Sequence, residues 1–583
     1  MKTRPHWVLA GLFFGAWSGY AQSADSTLQL STVPVWSQAP AANVSVQQAS
    51  AHALWASGAD IRMTSPGSSL LLSRDGYPSA YVQGSWEGLP FLTPDLGVAD
   101  FSLMPQWGQQ TQWGSTMASQ YQSGQALGEL LDIRGQKVDV LELKGSSLKQ
   151  AGIGGIWTIP GSSQSEMRVG GGTEAWKNDY RYGAEGLRRQ GADGSRHELF
   201  MTHKRNYTGG RWSRGGTGYV VSADRGLPKL YEIDLPERQQ DLRAQISQYQ
   251  SYSFDNLQFR TEQVIWSQNQ TYDGPWYSDT NNSQGAYMRV YTGTHWKKWK
   301  FLSEETLGFN RMNGVFKPDV TIDYVTLHVM VESPMTKAGK FTLGGKWATW
   351  DTKKSPLSPH LAWEKKGATW SLEGHVRQMF RFPTMNDLFW TGFGNPDLHP
   401  EHGWEVQFGG MKTFSKLHLS GSVFRTDLKD AIVWMPDAFD NWRPVNQSSW
   451  NRQGAKFSVS FNGWEKWSMN GHIRYAHVTN EDGNRAPYVA PWLGNASAIY
   501  RMLKGALSAS WTGQSAAPLY WVTYGPTYFL PAQSSVGIQY AHQIAGGVEA
   551  EIRIENLFNQ KLIFQESYPM PGRHLLTTLR YKL

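Results

Sequence analysis

The chain has 583 residues, no cysteine, 28 Trp, 25 Tyr and 24 Phe, with a formal net charge of +7. The absence of thiols excludes disulfides, thiolate metal sites and a lipoprotein anchor. No apolar run of about 18 residues occurs, which argues against helical membrane spans and leaves strands, which need only alternate residues facing lipid. The basic residues are scattered, with no basic helix or finger motif. Nucleic acid is therefore not an expected partner, and a lumen lined by Lys and Arg accounts better for the charge. At the N-terminus, Lys2 and Arg4 precede the apolar stretch Val8 to Trp17, and Ala21 to Ala24 offers small-residue cleavage sites. This is the pattern of an export signal over residues 1–22, with the mature chain expected to begin near Gln22.

Further along, Val44 to Asp60 is rich in Ala, Ser and Gln and predicts a short helix. Ser65 to Gly128 is rich in Gly, Pro and Ser with short apolar segments, which predicts a small mixed domain of short strands. The remainder reads as hairpins. Leu417, Leu419, Gly421 and Val423 follow the turn Gly409 to Ser415, and Ile473 and Tyr475 alternate with His472, Arg474 and Ala476 after the turn Asn462 to Trp467. Ala506 to Trp511 follows Leu503-Lys504-Gly505, and Val536, Ile538 and Tyr540 lead to the turn Ile544 to Gly547. Val548 to Glu555 alternates again, and a longer loop, Asn556 to Gly572, precedes the last strand. There Leu575, Thr577, Leu579, Tyr581 and Leu583 share one face, opposite His574, Leu576, Thr578, Arg580 and Lys582. A hairpin repeat of about 41 residues over about 450 residues gives roughly 22 strands, the size of a plugged transporter. The expected fold is all-β: a transmembrane antiparallel barrel over residues 136–583, with a small plug domain over 35–135 inside the lumen. Two interfacial girdles would use many of the aromatics.

Three segments carry a family resemblance. Phe380 to Glu401 reads F-R-F-P-T-M-N-D-L-F-W-T-G-F-G-N-P-D-L-H-P-E; Phe424 to Ile432 and Asn451 to Phe457 form the next strand pair; and Glu555 to Leu583 carries E-N-L-F-N-Q-K-L and P-G-R. Together they resemble TonB-dependent outer-membrane receptors. In the plug, Ser73 to Gly76, Trp86 to Pro90, Asp100 to Pro105 and Tyr121 to Ile133 resemble the family's segments. Gln110 and Trp113 depart from it, standing where Glu and Arg are common and help lock the plug. The resemblance implies residence in the outer membrane, among its lipids. It also implies coupling to a TonB–ExbB–ExbD-type energy complex through a periplasmic segment at 23–34, with Ser26, Thr27, Leu28, Gln29, Leu30, Ser31, Thr32 and Val33 as candidates. An extended segment of this kind suits addition to a partner sheet.

No catalytic constellation, cofactor or metal site is expected. His399 and His402 share the Asn395 to His402 loop and could bind a metal or haem, but the preferred reading is that His399 occupies a variable position of the motif; Arg381 and Asp387 are expected to be structural in the loop base. The resemblance places ligand between the plug apices and the outer loops. The candidates are Tyr77, Tyr81, Phe91 and Asp95 from the plug, and Phe389, Trp390, Phe393, Trp434 and Trp442 from the barrel. Loop aromatics suit a large, flat ligand. The leading expectation is an importer of a scarce, large nutrient, cobalamin or a metal chelate such as a ferric siderophore. The alternatives are a passive plugged pore, an adhesion barrel, a haem or oligosaccharide receptor, and a soluble Trp-rich sugar binder.

Overall fold

The computed structural model describes residues 55, 57–114, 125, 128–136, 138–162, 164–182, 186–207, 211–229, 235–436, 442–519 and 528–583. The export signal and the segment Ser26 to Val33 lie outside them, as does most of the expected helix between Val44 and Asp60. From Val140 onward, 22 antiparallel strands close into a barrel. The two-residue segment Lys353–Lys354 only extends one hairpin. Closure is made by the last strand, His574–Lys582, whose Lys582 pairs with Val140 of the first, Val140–Ser146.

Alternation sets the two faces. In Lys317–Glu332 the side chains of Tyr324, Thr326 and His328 are buried in the lumen while Val325, Leu327 and Val329 are exposed on the outside. The last strand repeats the pattern: Leu575, Leu579 and Tyr581 face out, and Arg580 turns in to hold Glu142 at 2.8 Å. The outer face is thus apolar and the lumen polar, as lipid and water require. Trp296 pairs with Trp299 and Trp464 with Trp467 across tight turns on the rim that carries the last residue. With Tyr207 stacked on Trp212, they begin an aromatic girdle.

On that rim the turns are short, among them Gly546-Gly547, both at positive φ. Connections on the opposite rim vary in length. Val315 and Phe316 alone join two strands there, whereas residues 382–400 form a long connection. The longer loop between Glu555 and His574 contains the paired segments Ile563–Gln565 and Tyr568–Pro569.

The lumen is filled by the N-terminal domain. Its sheet runs Leu89–Pro90, Val82–Trp86, Glu129–Gly135, Gln109–Gly114, with the central pair parallel, and Ala59–Arg62 pairs separately with Leu71–Arg74. Glycines in the wall let this plug press close: a Cβ at Gly154 or Gly172 would come within 2.4 or 2.6 Å of the Trp107 ring. Lys144 caps that ring from the barrel side at 3.7 Å.

Candidate functional site

Two walls of the barrel grip the plug through buried polar contacts. On the first, Arg474 Nη1 donates to Asp60 at 2.6 Å, and Lys456 Nζ donates to Asp75 at 2.5 Å. Arg452 Nε donates to the Asp75 carbonyl at 2.8 Å, and its guanidinium lies 3.7 Å over the Tyr77 ring. The Tyr77 hydroxyl donates to Glu405, which also receives Arg377 Nε at 2.9 Å, and the Tyr81 hydroxyl donates to Glu401. Burial alone would raise the Asp75 carboxyl, but the Lys456 ammonium and the Arg74 guanidinium outweigh it and hold the group well below the usual carboxylate range. For Asp60 burial wins, and its carboxyl is pushed up despite Arg474.

On the second wall, Arg196 donates to the carbonyls of Ser102 and Met104 at 3.0 and 2.6 Å. Glu198 accepts from the backbone of Gln106 and Trp107 at 3.0 and 2.7 Å, and Arg225 reaches Ser102 Oγ at 2.7 Å. Trp113, which stands where the family commonly has Arg, instead lies under the Arg74 guanidinium at 4.1 Å and donates to Ser57 Oγ at 3.1 Å.

Between the plug edge and a third stretch of barrel lies a partly open cavity of about 100 Å³. Its plug side carries Phe91, Leu92, Thr93 and Pro94, and its barrel side carries Tyr287, Arg289, Asn310, Tyr324, Thr326 and Trp350. Arg381 and Phe382 close the end nearest the opposite rim. The lining contains two arginines, each facing carboxylates behind it, Arg381 with Glu401 and Arg289 with Glu262 and Glu304, so it offers mainly amide and hydroxyl groups and aromatic faces to a ligand.

The expected residues divide into three groups. Phe91 lines the cavity, with the Arg243 guanidinium 3.8 Å from the centre of its ring. Tyr77 and Tyr81 are buried in the grip on Glu405 and Glu401 and anchor the plug; Asp95 is buried too, its carbonyl accepting from Asn386 N at 3.1 Å. Trp390, Phe393 and Trp434 gather on the opposite rim, with Trp390 5.6 Å from Trp434 and 6.0 Å from Phe393. Phe389 packs partly buried beneath them, and Trp442 is exposed at the start of its strand. Asp387 orders this corner: it forms a capping box with Thr384 over Met385–Phe389 and accepts from Trp434 Nε1 at 2.9 Å. Arg381 is paired with Glu401 at 2.5 Å. The His399 backbone is bonded to Asn446, while His402 Nδ1 faces Asp430 at 3.4 Å. No group of three or more metal-ligating side chains is disposed to hold a metal ion among the described residues. Sequence reasoning missed Tyr287, Arg289, Asn310, Tyr324, Thr326 and Trp350. Alternation within their strands marks them as inward, but only the register brings them to one place.

A barrel closed on itself, filled by its own N-terminal domain and bearing a cavity at the filler's edge, defines the plugged transmembrane β-barrels. The family model "TonB dependent receptor-like, beta-barrel" matches residues 157–557, and the chain belongs to the TonB-dependent receptor family, whose members are outer-membrane receptors and transporters and not enzymes. A stretch of 214 residues is 25% identical to the vitamin B12 transporter BtuB of Photobacterium profundum, covering 35% of this chain and 34% of that protein. The BtuB of Vibrio vulnificus (strain YJ016) is 30% identical over 83 residues, 14% of each chain. The match thus spans about a third or less of these curated relatives. Among solved structures, the siderophore receptor PirA from Acinetobacter baumannii superposes with a TM-score of 0.77 at 13% identity, over 90% of this chain and 94% of that one. The copper transporter OprC gives 0.75 at 12% identity over the same shares. At these identities the likeness concerns the fold.

Proposed function

We propose that this protein is an energy-coupled outer-membrane importer of a large, scarce nutrient, with cobalamin the first candidate and a ferric siderophore the second. The observation that carries this reading is the plug itself. It fills the lumen and is held by buried ion pairs, so passage of a large solute requires work on the plug, while the cavity at its edge offers a place of capture. The vitamin B12 transporters among the relatives favour cobalamin. Cobalamin's amide groups also suit the amide and hydroxyl lining around Asn310 and Thr326. In this reading residues 1–22 direct export. Ser26 to Val33 engage a TonB–ExbB–ExbD-type energy complex in the periplasm, on the side of the short turns. Phe91 and the Trp390, Phe393 and Trp434 corner meet the ligand from the opposite, outer side, with Trp442 at its margin.

Uptake measured in cells with the parent chain and with Leu28→Pro tests the coupling. The variant is expected to lose at least ten-fold in uptake while its binding, read by Trp-fluorescence quenching of the purified protein, stays unchanged. Equal uptake by both would mean a passive plugged pore. Quenching at nanomolar cyanocobalamin, and not by ferric siderophores, would fix the nutrient.

A further inference from the structure

The wall that borders the cavity differs from the two that grip the plug, and the difference continues below the cavity. Register stacks its inward residues in rows that run from the opposite rim toward the rim of short turns. Tyr324 lies beside Trp350, Thr326 beside Ala348, His328 beside Lys346, and Met330 beside Gly344, which in turn pairs with His360. Along these rows, buried polar atoms have no hydrogen-bond partner: the Tyr287 hydroxyl, Asn310 Oδ1, Trp350 Nε1, Thr326 Oγ1 and both ring nitrogens of His360. His360 and Thr326 are 1% and 2% exposed. A buried polar group left unpaired in a dry interior costs about 1–3 kcal/mol, so a succession of them is tolerated where water or a passing molecule supplies the partner. The gripping walls place several Arg, Lys and Glu heads on the plug at short distances, whereas this wall reaches it through a long contact, Lys346 Nζ to the Gln125 carbonyl at 3.4 Å.

We propose that imported nutrient leaves the cavity along this wall, between the plug and the strands Ser278–Trp296 through Ser358–Lys366, with Thr326 and His360 as successive polar contacts of the route. The proposal rests on the importer reading. The plug stays held by Asp60, Asp75 and Tyr77 on one side and by the Ser102 to Trp107 segment on the other, and separates from the wall where its partners' hydrogen bonds are unmade. On this wall the His360 ring lies over Gly344, where a Cβ would stand 2.4 Å from it.

The chain has no cysteine, so a single introduced thiol reports its own surroundings. Thr326→Cys, His360→Cys and, on the gripping wall beside Glu405, Thr426→Cys are each expressed in cells and exposed to a bulky membrane-impermeant maleimide. Labelling is followed with and without cyanocobalamin or ferric enterobactin, in energised and de-energised cells. During energised uptake, labelling of Thr326→Cys and His360→Cys is expected to rise at least ten-fold, with Thr426→Cys unchanged. Prior attachment of the reagent at His360→Cys is expected to abolish uptake. A rise at Thr426→Cys equal to or greater than that at the other two, or no rise at any site while uptake proceeds, overturns the route. Heat-modifiable migration on gels verifies that each variant is folded. Energised uptake by the unsubstituted chain separates the two failures: its absence removes the importer reading, and its presence without wall labelling removes only the route.

Discussion

The wall of strands Glu401–Phe414 through Trp467–Asn480 and the wall of strands Ser278–Trp296 through Ser358–Lys366 share one backbone plan and one outer face, yet treat the plug in opposite ways. The first spends buried charge on it: Glu405, Arg452, Lys456 and Arg474 all meet plug atoms directly or through one neighbour. The second offers aromatic rings and unpaired hydroxyl, amide and imidazole atoms around a cavity, and touches the plug with charge through the long Lys346 contact to the Gln125 carbonyl. A stopper that must hold and also yield needs both kinds of surface, and segregating them around the circumference lets one part open without loss of the whole. The outer face is indifferent to this division, because lipid makes the same demand on every strand.

The comparison is broken most forcefully at Glu405. Glu405→Ala leaves Arg377 and Arg452 buried without their shared carboxylate and removes the acceptor of the Tyr77 hydroxyl. The expected cost is about 3–5 kcal/mol, read as a lowered urea midpoint for plug unfolding followed by Trp fluorescence. A change below about 1 kcal/mol would show that the grip does not reside on this wall.

Next in size is Leu307→Arg, on the lipid face of the cavity wall. A charge at mid-membrane depth is expected to cost about 2–4 kcal/mol in folding into lipid vesicles, with ligand quenching intact in the molecules that do fold. This separates the demand of lipid from that of the lumen on one strand.

The smallest effect on stability, and the sharpest contrast, is expected at Tyr287→Phe. It removes a buried hydroxyl that has no partner, so stability is expected to change by less than about 1 kcal/mol while the affinity of the captured ligand falls about five-fold. Loss of stability without loss of affinity would place Tyr287 with the gripping residues.

Much of the barrel was legible in the sequence because its governing rule is local. Leu575, Leu579 and Tyr581 against Arg580 already state which face is wet, and Gly546-Gly547 marks its turn without reference to any distant residue. The corner around Asp387 was legible for the same reason, since its cap lies within a few residues of Thr384 and its aromatics crowd one loop. The plug's partners were not. Tyr77 and Tyr81 read as outward aromatics at a loop tip, and only the closed barrel brings Glu405 and Glu401 to their hydroxyls. The cavity was hidden likewise: Tyr287, Asn310, Thr326 and Trp350 sit on four strands, each an unremarked polar or aromatic position until the register aligns them.

The pairing of Lys582 with Val140 has a consequence in time. The first strand of the barrel must wait, with an open edge, until the most C-terminal one arrives, so nothing about the cylinder is finished until almost all of the chain has been delivered. During that interval the plug, made first, has no lumen to enter and the arginines meant for it have no partners. A chain stopped short of His574 would present two unpaired edges at once, and assembly itself would thereby distinguish whole molecules from fragments.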